Sequence, residues 1–251
     1  MKLQGILIPI AIPFDHNGDI YPVKIRHNVE KWNRTGVSGY VVSGRESIYL
    51  TAEEKIRVWE WTAEYSAPEK IRIASTGMPS VRETVELSNR AESLGYKAAS
   101  IGVPHAAVET QKIYLSAVAD QSRIPILIDG AAPEGLSHPN ILDARIGRSS
   151  GSIARDFAGG AAAVICDIAN AIPYAAICIW EAHRTRESDA AEDWQNRIAP
   201  AARLIEQYGI AALKHAMDLN GYYGGPPRLP LTVLTPAQRR EVEQAFSGLR
   251  G

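Results

Sequence analysis

The chain has 251 residues, 45% hydrophobic and 22% charged, which is enough to bury a sizeable core. The formal net charge of −1 and the lack of a long basic or acidic block argue against a nucleic-acid or membrane-surface partner. No apolar run is long enough for a signal peptide or a membrane span, so a cytoplasmic protein is expected. Cys166 and Cys178 lie in apolar neighbourhoods and are interpreted as reduced thiols, with a disulfide or metal pair as the alternative. The histidines show no ligand spacing, so no metal and no cofactor are expected.

Short apolar strands alternate with helical patterns along the first half of the chain. Strands, each running into a polar loop, are predicted at residues 7–12, 39–42, 71–77, 98–104 and 126–129. Helices are predicted between them at residues 23–32, 51–65, 80–94 and 110–119, with capping-box patterns at Thr51 and Ser80. This repeat of roughly 25–30 residues is typical of βαβ units and predicts a parallel sheet.

The polar clusters come directly after the strands, at their C-terminal ends. A TIM barrel and an open doubly wound sheet both place their sites there. No strand is followed by a Gly-x-Gly-x-x-Gly or P-loop pattern, which counts against a nucleotide-binding open sheet. A barrel is therefore favoured.

The second half of the chain is short of strands. One strand is predicted at residues 161–167, with helices at 173–183, 189–208, 210–219 and 235–246. Only one strand can be placed between Gly130 and Val164, whereas a full barrel needs eight in all. The expectation is an α/β fold of the TIM (β/α)8 type. Either the barrel is shortened by missing βα units, or the sequence omits segments of it. Residues 1–170 would form the barrel, and residues 171–251 its last helix and a C-terminal helical region, as one structural unit.

Several segments together resemble one known family. They are the opening strand from Gly5 to Phe14, the run Val41 to Ser47 with Leu50-Thr51-x-Glu53-Glu54, the helix 84–95, Leu213-Lys214, and Arg228-Leu229-Pro230-Leu231. These are similar to the dihydrodipicolinate synthase/N-acetylneuraminate lyase family of class I aldolase-type TIM barrels. The resemblance implies a carbon–carbon lyase that acts on small 2-keto acids and assembles as a homodimer or homotetramer.

The resemblance also maps the family's functional residues onto this chain, and every mapped position differs. The family's imine-forming lysine lies in a Lys-Asp-Ser-Ser-Gly run, whose counterpart here is Gly147 to Gly151, so that Gly147 takes the lysine's place. The family's proton-shuttling tyrosine falls on Asp129 and its carboxylate-binding arginine on Glu134. The paired threonines fall on Ser43 and Gly44, and the tyrosine sent into a neighbouring subunit falls near Ala106. The resemblance therefore leaves imine catalysis in doubt.

Other lysines are not well placed to replace the missing amine. A Schiff-base lysine needs a lowered pKa and a side chain that projects into the pocket. Lys97 precedes its strand, Lys214 lies outside the chemistry by resemblance, and Lys55 and Lys70 are expected to be solvated.

The candidate site residues each have a structural alternative. Asp129, at a strand end beside Gly130, is the best candidate for a general base, or else caps a turn. Arg45 can bind an anion, or else pairs with Glu46 to close its loop. His105 is a second acid/base group or a solvated loop residue, and Arg148 binds an anion or is solvated. The predicted catalytic residues are Asp129, Glu46 and His105, and the predicted substrate-binding residues are Ser43, Gly44, Arg45, Glu134, Gly147 and Arg148.

Three functions stay open at this point. The first is a lyase of the family type acting on a small 2-keto acid or related anion. The second is a non-imine enzyme that uses Asp129 as a general base. The third is an inactive homologue that serves as a ligand-binding or interaction protein.

Overall fold

The computed structural model describes residues 3–249 and contains a seven-stranded, fully parallel sheet. The strands are β1 (Gly5–Pro9), β2 (Gly39–Val42), β3 (Ile71–Ser75), β4 (Ala98–Gly102), β5 (Ile126–Asp129), β6 (Ile146–Gly147) and β7 (Ala163–Ile165). Their order in the sheet is β5-β4-β3-β2-β1-β7-β6. The predicted parallel α/β architecture is confirmed, with strands somewhat shorter than the apolar runs.

Helices follow most of the strands. They are α1 (Pro22–Asn33), α2 (Ala52–Tyr65), α3 (Val81–Ser93), α4 (Val108–Gln121), α5 (Ile153–Ala158), α6 (Pro173–Arg184), α7 (Ser188–Tyr208), α8 (Ile210–Leu219) and α9 (Pro236–Ala245). Short 3-10 turns occupy Arg45–Tyr49 and Asp167–Asn170. The Thr51 capping box opens α2 as predicted, because its hydroxyl accepts from the Glu54 N–H while the Glu54 carboxylate accepts from the Thr51 N–H.

One segment spans the two edges of the sheet. At its start the Ile126 N–H donates to the Asn140 carbonyl and the Leu142 N–H donates to the Ile126 carbonyl, so residues 140–142 run parallel to β5. At its end the same segment becomes β6, which pairs with β7. We call residues 140–147 the bridging segment. The sheet is thus curled, and the bridging segment occupies the place that further strands would take in an eight-stranded barrel.

Side chains on the two faces of the sheet form two apolar clusters. The inner cluster includes Leu7, Val41, Ile73, Leu127 and Ile165, with Leu142 and Ile146 of the bridging segment against it. A larger outer cluster packs the sheet onto the helices. This alternation of inward and outward residues along each strand is the pattern of a barrel. None of the helices within residues 3–249 is long and apolar enough to cross a membrane.

Candidate active site at the strand ends

The C-terminal ends of β2, β5 and β6 bring polar side chains to one end of the curled sheet. Ser43 directly follows β2, Asp129 is the last residue of β5, and Arg148 directly follows β6. Because parallel strands end at the same edge, this end is where a barrel carries its site. We call it the mouth.

Asp129 and Arg148 form an ion pair across the mouth. The Arg148 Nη1 lies 2.7 Å from Asp129 Oδ1, and Nη2 donates to the Ile128 carbonyl at 2.8 Å. Burial lowers the pKa of Arg148, and the neighbouring Asp129 carboxylate opposes that shift. The Asp129 side chain keeps 52% of its surface exposed and the Arg148 side chain 26%. The pair therefore joins β5 to the end of β6 while its carboxylate stays open to solvent.

Ser43 has a strained backbone and a hydroxyl without a partner. Its φ is 63°, in the left-handed region that residues other than glycine seldom occupy. The side chain is fully buried, and its Oγ makes no hydrogen bond within the described residues. Strained residues persist where the surrounding structure fixes them, and they cluster at ligand sites. The neighbouring Gly44 is half-buried and would tolerate a Cβ, whose nearest contact would be the Pro9 Cβ at 3.9 Å.

Glu46 is buried in an ion pair with Lys214 of α8. The Lys214 Nζ lies 3.1 Å from Glu46 Oε1 and donates to the Ile12 carbonyl at 2.7 Å, while Glu46 Oε2 accepts from the Ile12 N–H at 2.7 Å. Burial raises the pKa of Glu46 and lowers that of Lys214, each against the attraction of its partner. Glu46 is therefore held in place by α8 and by the backbone at Ile12, and it is almost fully buried.

The Gly224 backbone passes close to α8 beside Lys214. A Cβ built on Gly224 would lie 1.9 Å from the Lys214 carbonyl oxygen, so only glycine fits there. The resemblance predicts that Lys214 lies outside the chemistry, but its ammonium contacts the predicted site residue Glu46. The sequence does carry a signal for this role. A lysine within an apolar helix indicates a buried, paired cation, and Lys214 is flanked by Ala211-Ala212-Leu213 and Ala216-Met217.

Two further predicted site residues lie at the surface, and the side chain of a third is outside the described part of the structure. His105 follows β4 and Glu134 lies in the loop after β5; both are exposed, and neither has a hydrogen bond or ion pair among the described residues. The backbone of Arg45 begins a 3-10 turn, and its side chain lies outside the described part of the structure. Of the predicted catalytic residues, Asp129 thus pairs with Arg148 at the mouth, whereas Glu46 is buried against Lys214.

Gly147 faces the helix layer. A Cβ built on it would lie 2.5 Å from Asp156 Oδ2 of α5, on the side of the sheet opposite to Ile146 of the inner cluster. A side chain at this position would therefore contact α5 and would not project into the interior of the barrel. The assignment of Gly147 to the family's lysine position stays a prediction.

Lys55 and Lys70 correct an expectation from the sequence. Both are buried, and burial lowers the pKa of each. The Lys70 Nζ donates to the Thr35 and Val37 carbonyls, and the Lys55 Nζ lies 3.2 Å from the Met78 sulfur. Their alkyl stems fill the space between elements while the amines reach polar atoms, a behaviour that hydropathy patterns do not reveal.

Free space near the mouth is uneven. Beside β1, β2 and β7, α8 and Glu46 leave a cavity of only about 10 Å³. Around the bridging segment a cavity of about 530 Å³ opens, with Arg148 in its lining. No group of three or more His, Cys, Asp or Glu side chains within residues 3–249 is arranged to hold a metal ion. Of these two cavities, the larger therefore lies on the β5–β6 side.

Comparison with known proteins places this architecture in the class of aldolase-type α/β barrels. The model of the dihydrodipicolinate synthetase family matches residues 2–128, and the chain belongs to that family. A probable mitochondrial 4-hydroxy-2-oxoglutarate aldolase of Emericella nidulans is 28% identical, over 98% of this chain and 94% of the relative. An L-threo-3-deoxy-hexylosonate aldolase of Hypocrea jecorina is 26% identical, over 96% of this chain and 94% of the relative.

Solved structures show the same fold. A crystal structure described as a putative dihydrodipicolinate synthetase from Pseudomonas aeruginosa superposes with a TM-score of 0.89 at 19% identity, covering 99% of this chain and 100% of the other. Proteus mirabilis N-acetylneuraminate lyase superposes with a TM-score of 0.84 at 23% identity, covering 99% of each chain. The predicted family and barrel fold are confirmed.

This chain is also shorter than its aldolase relative from Emericella nidulans. The Emericella nidulans match extends over 291 positions but includes only 98% of the 251 residues of this chain, so the relative holds about 45 positions without a counterpart here. The seven-stranded sheet and the bridging segment agree with the prediction of a barrel that is short of βα units.

Proposed function

We propose that this protein is an aldolase-type lyase that acts on a small 2-keto acid or related anion at the mouth, without an imine intermediate. The observation that carries the proposal is the Asp129–Arg148 pair, which puts a solvent-accessible carboxylate beside a guanidinium at the ends of β5 and β6. Relatives named as aldolases for 4-hydroxy-2-oxoglutarate and for a deoxy-hexylosonate support the substrate class.

The amines of the described lysines support a mechanism without an imine. The Lys214 Nζ is held by Glu46, by the Ile12 carbonyl at 2.7 Å and by the Pro226 carbonyl at 3.2 Å. A Schiff-base lysine needs an unprotonated amine that is free to attack a carbonyl. The Lys55 Nζ lies 3.2 Å from the sulfur of Met78, in the loop between β3 and α3, and a side chain at position 147 would meet Asp156.

The two charged groups of this pair each have a role in the proposed cleavage. The Asp129 carboxylate takes the proton of the substrate's 4-hydroxyl, the bond between C3 and C4 breaks, and the aldehyde leaves. The electron pair moves to the C2 carbonyl as an enolate, which takes that proton back from the Asp129 carboxyl at C3 and leaves as the 2-keto acid. The Arg148 guanidinium binds the substrate carboxylate and stabilises the developing negative charge.

A second candidate function is ligand binding without turnover. It is favoured by the engagement of the charged groups with each other, since Asp129 already pairs with Arg148 and Glu46 with Lys214.

The absence of an imine is tested by trapping. We expect that incubation with pyruvate and borohydride leaves the intact mass unchanged, while a family member that keeps the lysine gains the mass of the reduced adduct. A stable adduct on this protein would overturn the proposed mechanism.

The role of Asp129 is tested with a matched pair of variants. We expect Asp129→Asn to lower kcat/KM for cleavage of 4-hydroxy-2-oxoglutarate by about 10²–10⁴-fold, the usual contribution of a general base. The control is Asp193→Asn, which breaks the exposed ion pair with Arg197 on α7 and leaves the mouth unchanged. Equal activity of the two variants would exclude Asp129 as the base, and binding of pyruvate without any turnover of the wild type would favour the second function.

A further inference from the structure

Arg148 follows a strand that gives it little support. β6 has two residues and, within residues 3–249, pairs with β7 alone. The ion pair between Arg148 and Asp129 is partly exposed, and such pairs do little to fix a geometry. The position of the Arg148 guanidinium therefore depends on the loop that comes next. We call residues 149–152 the Arg148 loop.

Gln195 of α7 joins the Arg148 loop to the start of α5. Its Nε2 donates to the Ser150 carbonyl at 3.1 Å, and its Oε1 accepts from the Ala154 N–H at 3.1 Å. A carbonyl only accepts and a backbone N–H only donates, so a single orientation of the side-chain amide satisfies both groups. Both hydrogen bonds are part-buried, so water does not readily replace the amide.

The start of α5 depends on this contact because it has no cap of its own. Ser152 is the N-cap residue, but its hydroxyl donates to Asp156 Oδ2 at 2.9 Å and caps no N–H group. The first N–H groups of a helix have no partner within the helix. α5 is six residues long, and a helix this short is not stable without outside contacts. Gln195 therefore supplies from α7 the acceptor that the Ala154 N–H needs.

Other side-chain contacts also reach the Arg148 loop. The buried Ser150 hydroxyl accepts from the Ile168 N–H at 3.1 Å, and the Ser149 hydroxyl donates to Glu206 Oε1 of α7 at 3.1 Å. The bond to Glu206 is exposed, so water competes for it. Of Gln195 and Glu206, both on α7, Gln195 is therefore the residue whose loss should move the loop most.

We propose that Gln195 is a positioning residue, which holds the Arg148 loop so that the Arg148 guanidinium faces the mouth and binds the substrate carboxylate. This role rests on the proposed function of Arg148. Gln195 acts through the loop, since it makes no hydrogen bond with Asp129 or Arg148 within the described residues. Its loss should raise KM more than it lowers kcat, because the substrate carboxylate is charged in the ground state and in the transition state alike.

The test is calorimetric titration of the full chain with pyruvate, which carries the carboxylate and needs no turnover. Gln195→Met keeps the length of the side chain and removes both hydrogen bonds. We expect it to weaken pyruvate binding about three- to tenfold, and to raise KM for 4-hydroxy-2-oxoglutarate by a similar factor while kcat changes less than about twofold. The control is Gln244→Met at an exposed position of α9, which should leave both values unchanged.

A double-mutant cycle decides whether Gln195 acts through Arg148. In an Arg148→Met background, Gln195→Met should have no further effect on pyruvate binding, whereas a general loss of structure would weaken binding by the same factor in both backgrounds. If Arg148→Met binds too weakly to titrate, Arg148→Lys serves as the background, and the effect of Gln195→Met should be smaller there than in the wild type.

The outcomes separate this inference from the proposed function. Unchanged affinity in Gln195→Met, or an equal loss in both backgrounds, would overturn the role of Gln195 and leave that of Arg148 standing. Pyruvate binding that Arg148→Met leaves unchanged, or that the wild type lacks, would overturn the proposed function and this inference with it.

Discussion

The predicted catalytic residue Glu46 is the clearest case in which local sequence indicates a polar site and the folded chain uses the residue differently. Its carboxylate is almost fully buried, accepts from the Ile12 N–H and pairs with Lys214, whose ammonium also lies 4.6 Å from the centre of the Phe14 ring. A buried pair of this kind costs desolvation energy, but removal of one partner costs more because the other charge is left unpaired.

At the residue scale we therefore predict that Lys214→Met lowers the free energy of unfolding by about 3–5 kcal/mol. The double variant Glu46→Gln/Lys214→Met should recover part of this loss, since no charge is then left buried alone. Urea denaturation measures both. Arg82→Met, which breaks the exposed pair with Glu86, is the control and should change stability by no more than about 0.5 kcal/mol. A Lys214→Met variant as stable as the wild type would refute a structural role for this pair.

At the element scale, the bridging segment depends on one side chain at its start. The Asn140 Nδ2 donates to the carbonyls of Ala119, Ser122 and Ile124 at 3.0, 2.9 and 3.2 Å. These carbonyls belong to the end of α4 and the loop before β5, so Asn140 fixes the segment to the edge it closes. An amide can donate to several carbonyls at once, whereas a carboxylate can only accept.

We expect Asn140→Asp to destabilise the protein by about 3 kcal/mol, because the carbonyls lose their donor and face a negative charge. Thermal unfolding provides the measurement. The control is Asn89→Asp, whose exposed Nδ2 makes a single long bond of 3.4 Å to the Gln121 carbonyl, and whose Oδ1 still accepts from the Arg123 N–H. Equal shifts of Tm in the two variants would show that Asn140 does not hold the segment.

At the scale of the whole molecule, the strands differ in how firmly they are paired. β1 and β2 each have a strand on both sides, whereas β6 has two residues paired with β7 and, within residues 3–249, no strand on its other side. Few main-chain contacts and partial exposure of the backbone are the physical basis of easy local opening.

Hydrogen exchange should therefore be uneven around the barrel. We predict that amides of residues 141–147 exchange at least about tenfold faster than those of β2, which corresponds to about 1.4 kcal/mol less opening free energy. Exchange followed by mass spectrometry measures this, with β1 as an internal control for a doubly paired strand. Uniform protection around the sheet would contradict weak pairing at the bridging segment.

The sequence by itself determines the parallel α/β architecture, the approximate positions of the strands and the family. Short apolar runs that end in polar turns, such as Ile126–Asp129, and caps such as Thr51 are local signals, because burial on both faces and end-capping act over a few residues. The shortage of strands after Gly130 is equally visible in the letters. These signals also suffice to name Asp129 and Arg148 individually as candidates.

Only the tertiary structure decides which candidates meet. It pairs Asp129 with Arg148 across the gap between β5 and β6, commits Glu46 to Lys214, and directs position 147 towards Asp156. It also decides that the shortened wall is bridged by residues 140–147 and leaves a cavity beside them. The physical reason is that these contacts join residues distant in sequence, so their geometry depends on how the sheet curls and the helices pack, and local propensity does not encode either.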